Sequence, residues 1–138
     1  MKQAEFSLNN YKFTHVELNL DYIKEKDNLA LELNPRGIFF SEKGDYELFF
    51  DFTASNIVND QKNIVVNVVC KALFHFNNTY SFSDIPEYFY ANSIAIIFPY
   101  VRAFVSTVTL QANIAPIILP TLNLSALRDA LKSNTSIK

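Results

Sequence analysis

Up to Phe76 the chain alternates apolar and polar residues, the period of a strand, and from Ser93 its apolar residues recur three or four apart, the period of a helix. Phe6 to Leu20 is extended in character, but its parity slips. Phe6 and Leu8 are even, Tyr11 and Phe13 odd, and Val16, Leu18 and Leu20 even again. Each slip turns the buried face over unless a bulge absorbs it, so the pattern predicts a long, bent first strand. Lys24 to Asn28 is a polar connector. Leu29, Leu31 and Leu33 then alternate with Ala30 and Glu32 as a second strand, and Pro35 points to an edge position or a bulge. Ile38 to Phe40 continues it into the turn Glu42 to Asp45, where Gly44 supplies a positive φ.

The third strand, Tyr46 to Ala54, puts Tyr46, Leu48, Phe50 and Phe52 on one face and Glu47, Phe49, Asp51 and Thr53 on the other. Asn59-Asp60 marks the next turn. In the fourth strand Ile64, Val66, Val68, Cys70, Ala72, Phe74 and Phe76 share one side, and Val65, Asn67, Val69, Lys71, Leu73 and His75 the other. Both sides are rich in apolar residues, so both are expected to be covered. The helices that follow can cover one, and a second subunit is the simplest cover for the other.

Asp84-Ile85-Pro86-Glu87 has capping-box form and predicts a short helical piece to about Tyr90, with a break near Asn92. The main helix starts at Ser93, with Ile94, Ile97, Phe98, Val101, Val105 and Val108 on one face while Arg102, Ser106 and Thr109 leave that line. Pro99 lacks an N–H and crowds the Ala95 carbonyl, which predicts a kink. After the helix fades near Gln111 to Asn113, Ile114 to Pro120 is apolar, glycine-free and bracketed by prolines: a stiff crossover. Asn123 caps a last helix from Leu124 to about Lys132. Four strands followed by helices predict an α+β fold with a four-stranded antiparallel sheet, and no repeat or boundary divides residues 1–138, so one domain is expected.

Composition narrows the function more by exclusion than by signal. The 13 Phe and 7 Tyr in 138 residues are more rings than a core of this size hides easily, so some belong to subunit contacts or a binding surface. A net charge of −2 argues against nucleic acid as a partner. The uninterrupted apolar runs are too short for a membrane span, and MKQAEFSLNN is no signal peptide, so no membrane insertion is expected. Cys70 is alone, which fits a reducing cytoplasm. Two glycines cannot build a phosphate loop, His15 and His75 are isolated, and Asp45, Glu47 and Asp51 read as a turn and a solvated face. No cofactor, metal or catalytic residue is expected, and the chain is not read as an enzyme.

The segment IIFPYVRAFVSTVT, the proline-bearing connection and LNLSALRDAL together resemble the C-terminal half of the SecB export chaperones. Phe98, Pro99, Tyr100 and Arg102 match that family's helix motif; Leu122, Asn123, Ala126 and Leu127 match its crossover and second helix, and VNVVCKALF from Val66 to Phe74 is similar to its fourth strand. The resemblance implies an ATP-independent holdase for unfolded polypeptides, serving protein export or a dedicated client such as an antitoxin. It implies a homotetramer, a dimer of dimers, joined through Val66, Val68, Cys70 and Ala72 with the main helix. It also implies a client groove lined by Leu29, Leu31, Leu33, Phe74, Phe76, Ile117, Ile118, Leu119, Leu122 and Leu124. Lys71 stands where the family has an acid, His15 and Asn19 fall near further acidic positions, and KSNTSIK is a short basic tail; these departures weigh against docking of the SecA motor. A small-molecule or lipid carrier using the same sheet-and-helix cavity, and a structural interaction domain with one folded partner, are the alternatives from other classes.

Overall fold

A computed structural model describes residues 5–23, 28–78 and 81–138, so most of the connector from Lys24 to Asn28 lies outside the described residues. Strands β1 (Phe6–Leu18), β2 (Ala30–Phe40), β3 (Asp45–Val58) and β4 (Gln61–Phe76) are followed by helices α1 (Glu87–Gln111) and α2 (Leu124–Ser133) and a short strand β5 (Thr135–Ile137). The sheet order is β1-β4-β3-β2-β5; the first four strands are antiparallel and β5 lies parallel to β2. The α+β class holds, with five strands where four were expected. β5 is missed because three residues, Thr135, Ser136 and Ile137, carry no period of their own.

The parity slips of β1 are bulges. The ladder to β4 shifts between Leu8 and Asn10 and again between Phe13 and His15. All three apolar pairs thereby reach the same side: Phe6 and Leu8 oppose Phe76 and Phe74, Tyr11 and Phe13 oppose Ala72 and Cys70, and Val16 and Leu18 oppose Val68 and Val66. A third bulge corrects the reading of β4. Ala54 pairs with Val66 but Ser55 with Ile64, leaving Val65 as the extra residue. Val65 and Val66 are both fully buried, while Ile64 is 42% exposed. Both turn readings hold: Asn59 and Asp60 have φ of 53° and 62°, the two-residue turn whose twist suits a hairpin, and Gly44 has φ 68°.

The core lies between one sheet face and the helices. Phe89 of α1 is its centre, with ring centroids 4.9 Å from Phe6, 4.8 Å from Tyr46, 5.6 Å from Phe74 and 4.9 Å from Phe76. Helix α1 is continuous from Glu87, so neither the break near Asn92 nor a separate first piece exists. Pro86 occupies the N-cap without a side-chain bond, and the Asp84 carboxylate accepts from Ser81 Oγ at 2.8 Å instead of capping. Pro99 sits inside the helix. Asn123 caps α2 as expected, accepting from the Ala126 N–H at 3.2 Å. By length and composition α1 is also sufficient to cross a membrane, which counting unbroken apolar runs overlooked; its buried face packs on the sheet.

Candidate functional site

Three ring contacts fix how α1 lies. Phe89, Tyr100 and Phe104 meet Phe6, Tyr11 and Phe13 at 4.9, 4.4 and 3.9 Å, so α1 runs along β1 in the same direction. Phe89 to Phe104 rises about 22 Å at helical pitch, and Phe6 to Phe13 about 23 Å as strand, so the two keep pace. Lys132 pairs with Glu87 at 2.8 Å, which sets α2 antiparallel to α1. The crossover therefore returns along the C-terminal half of α1, at the level of the first half of β2.

Two hydroxyls hold it there. Ser106 Oγ donates to the Ile117 carbonyl at 3.1 Å, and the Ile117 N–H donates to Thr109 Oγ1 at 3.0 Å. Thr109 is fully buried and gives its own proton to the Val105 carbonyl at 2.7 Å, which frees a lone pair for Ile117. A buried backbone group with no ladder partner, such as the Ile117 N–H, must be satisfied somehow; here a helix supplies hydroxyls. By period alone Ser106 and Thr109 are only gaps in the apolar line of α1. Polar residues facing an apolar, proline-bearing segment were the available signal.

The outer edge of β2 is divided. The Gly37 N–H donates to Asn134 O at 3.1 Å, Lys138 N–H to Phe39 O at 2.8 Å, and Ser41 N–H to Lys138 O at 3.3 Å. Odd-numbered residues thus turn their backbone groups outward, and the period of two extends this to Leu31, Leu33 and Pro35. The missing N–H of Pro35 falls on that outer side, so it costs the β2–β3 ladder nothing, and the edge reading of Pro35 holds. β5 covers only Gly37 to Phe39. Ahead of it, Leu31 and Leu33 combine outward backbone groups with half-buried side chains packed on the core's rim.

The expected groove residues separate into two sets. Leu29, Leu31, Leu33 and Leu122 are half-buried on the core's rim, Leu124 is exposed and Ile118 is 64% exposed, so these six keep accessible apolar surface, and Leu29, Leu31 and Leu33 form a strip along the start of β2. Ile117 and Leu119 point inward and are buried. Phe74 and Phe76 have essentially no surface: they are walls of the cluster around Phe89, and a client cannot touch them in this conformation. Val66, Val68, Cys70 and Ala72 likewise have no exposed area, being covered by the chain's own helix side, and offer no surface to a second copy. Alternation assigned them the right face; that face is internal. Burial pushes the Cys70 thiol up to about 11, as for an unreactive core cysteine.

Among the described residues no three His, Cys, Asp or Glu side chains are grouped to hold a metal ion. The acids of the open sheet face are mostly engaged: Asp45 with His75 at 2.7 Å, Glu47 with Lys71 at 3.5 Å, Glu17 with His15 at 3.7 Å, and Asp51 accepting from Asn67 at 2.7 Å.

Comparison with known proteins agrees with this architecture. An uncharacterized protein of Methanocaldococcus jannaschii is 31% identical over 130 residues, covering 91% of this chain and 83% of that one. The fold is similar to that of the Mycobacterium tuberculosis Rv1957 SecB-like chaperone, solved in complex with a ChAD peptide from the Rv1956 HigA1 antitoxin. The TM-score is 0.67 at 15% identity, covering 86% of this chain and 88% of that one. The family model described as preprotein translocase subunit SecB matches residues 6–134, nearly the whole chain, and the chain belongs to the SecB family.

Proposed function

We propose that the protein is an ATP-independent holdase that binds extended, unfolded polypeptide along the first half of β2 and the crossover. One observation carries this reading: Leu31 and Leu33 present apolar side chains and outward backbone groups together, while Ile118 of the crossover and Leu124 at the start of α2 expose further apolar surface. Side-chain burial supplies affinity without a sequence code, and strand addition supplies hydrogen bonds from any peptide. Ile117 and Leu119 back the crossover from the core side, while Phe74 and Phe76 lie at the far end of the sheet around Phe89, level with Phe39 and Tyr46, and take no part in the strip. The antitoxin peptide bound by the mycobacterial chaperone supports polypeptide as the ligand class.

Of the expected assembly surface the β4 residues Val66, Val68, Cys70 and Ala72 are internal, and we infer that the main helix makes the contact without them. Ile96, Tyr100 and Leu110 of α1 are 38%, 43% and 59% exposed and share its outward side. Burying this stripe against a second copy would build the dimer of dimers and set several grooves in series, raising weak local affinities by multivalency. Service to a dedicated client in the cytoplasm fits better than SecA-dependent export, because the open sheet face lacks a free acidic patch among the described residues.

The test is refolding without nucleotide. A slow-folding protein diluted from denaturant is expected to fold more slowly with about one tetramer per client, and sedimentation is expected to give four copies. Unchanged refolding at several-fold excess would remove general chaperoning from consideration.

A further inference from the structure

The open face of the sheet, opposite the helices, carries a transverse row of cations. The ladders place Lys12 opposite Lys71, Lys71 opposite Phe49, and Phe49 opposite Arg36, one residue from each of the four long strands. At about 4.8 Å per strand the row is about 14 Å long. Like charges facing each other across a ladder destabilise it, and counter-charge is short here. Glu47 reaches Lys71 at 3.5 Å, while Asp51 is taken by Asn67. Lys12 and Arg36 have no carboxylate partner among the described residues. Arg36 stacks on Phe49 at 4.1 Å, which orients the guanidinium and leaves its N–H fork free. Lys12, Lys71, Asn10, Glu47 and Leu73 line a shallow pocket of about 170 Å³, large enough for a carboxylate side chain.

We propose that this row docks an acidic segment of a partner polypeptide. Carboxylates enter beside Lys12 and Lys71 and at the Arg36 fork, where the paired N–H groups suit a bidentate contact. An apolar side chain of the partner rests on Phe49 between them. The flanking acids Glu47 and Asp51 lie two residues to either side of Phe49 along β3, so the cationic surface is one row wide. That width suits an extended peptide crossing the strands and gives no track for a nucleic-acid backbone. The row lies on the face opposite the apolar strip, so its occupant is a partner that receives or regulates and not the client itself.

The test is fluorescence anisotropy with a labelled decapeptide of Glu and Ser around one central Phe, compared with the same peptide carrying Lys for Glu. The acidic peptide is expected to bind at least about tenfold tighter, with affinity falling as salt rises. Lys12→Glu/Arg36→Glu is expected to abolish that preference while leaving the refolding delay intact; Ile118→Asp should do the reverse. Circular dichroism checks folding, and Lys12→Gln/Arg36→Gln serves if the charge reversals misfold. Equal binding of the two peptides, retention of the preference in the double variant, or displacement by a single-stranded RNA that binds tighter through the same residues would each overturn the proposal. Loss of the refolding delay in the unaltered protein is a separate result and bears only on the holdase reading.

Discussion

The Tyr46 hydroxyl lies 2.6 Å from Oγ1 of Thr135, reached across the bare backbone of Gly37. Thr135 gives its own proton to the Leu131 carbonyl at 2.7 Å, so Tyr46 is the donor. This buried contact ties α2 and β5 to the sheet, and burial holds the Tyr46 phenol well above its usual range. A Cβ on Gly37 would collide with the Tyr46 ring. Gly37→Ala is therefore expected to cost about 1–3 kcal/mol by overpacking. Tyr46→Phe should cost about 1 kcal/mol for the lost hydrogen bond. Thermal melts give both values, and faster amide exchange at Gly37 and Lys138 would locate the second.

Thr109→Val keeps shape but removes the acceptor for the buried Ile117 N–H. The expected loss is about 1–3 kcal/mol, the cost of an unsatisfied buried donor. Hydrogen exchange at the Ile117 amide should accelerate, and client binding should weaken because the crossover no longer lies fixed beside β2. Ser106→Ala, which loses only a donor to a carbonyl at the same residue, should do less.

Ile118 is 64% exposed. Ile118→Asp is expected to change stability by no more than about 0.5 kcal/mol, as for ordinary surface positions, yet to shorten the refolding delay markedly. Leu33→Ser should weaken client binding and also lower the melting temperature, because Leu33 packs on the core's rim. Comparing the two separates loss of contact from loss of fold.

Alkaline pH should destabilise the protein. Burial raises the Cys70 thiol from 9.0 to about 11 and raises the Tyr46 and Tyr90 phenols above 10.0, Tyr90 with a contribution from nearby Glu87. The unfolded chain releases these protons first, so the thiol's contribution is complete below pH 9 and is lost as pH rises toward 11, with the phenols adding above pH 10. Chemical denaturation between pH 8 and pH 11 measures the fall. In the same range Cys70 should resist alkylation until denaturant is added.

What could be read ahead of the structure follows from period. The slips at Phe6 to Leu18 announced both β1 bulges because apolar residues must reach one side, and Asn123 announced its cap by its place before an apolar helix. Period failed where it carries no information. It could not tell that the inward faces of Phe74, Phe76, Val66 and Cys70 were closed by the chain's own α1, because face assignment says nothing about which chain covers a face. It missed Val65, where apolar neighbours on both sides hid the bulge. It missed the work of Thr109, Gly37 and Tyr46, whose partners lie elsewhere in the chain.

The two bulges of β1 also bear on how this strand tolerates changes of length. Asn9 and Thr14 are the residues that the ladder to β4 leaves over. Deleting either one would join Leu8 to Asn10, or Phe13 to His15, as ordinary ladder neighbours, with every apolar residue still opposite its present partner. A deletion inside one of those groups, at Ser7, Lys12 or Glu17, would instead turn an apolar residue outward. Insertions and losses of one residue among relatives should therefore concentrate at these two positions, where a shift of frame in the chain leaves the frame of the sheet unchanged.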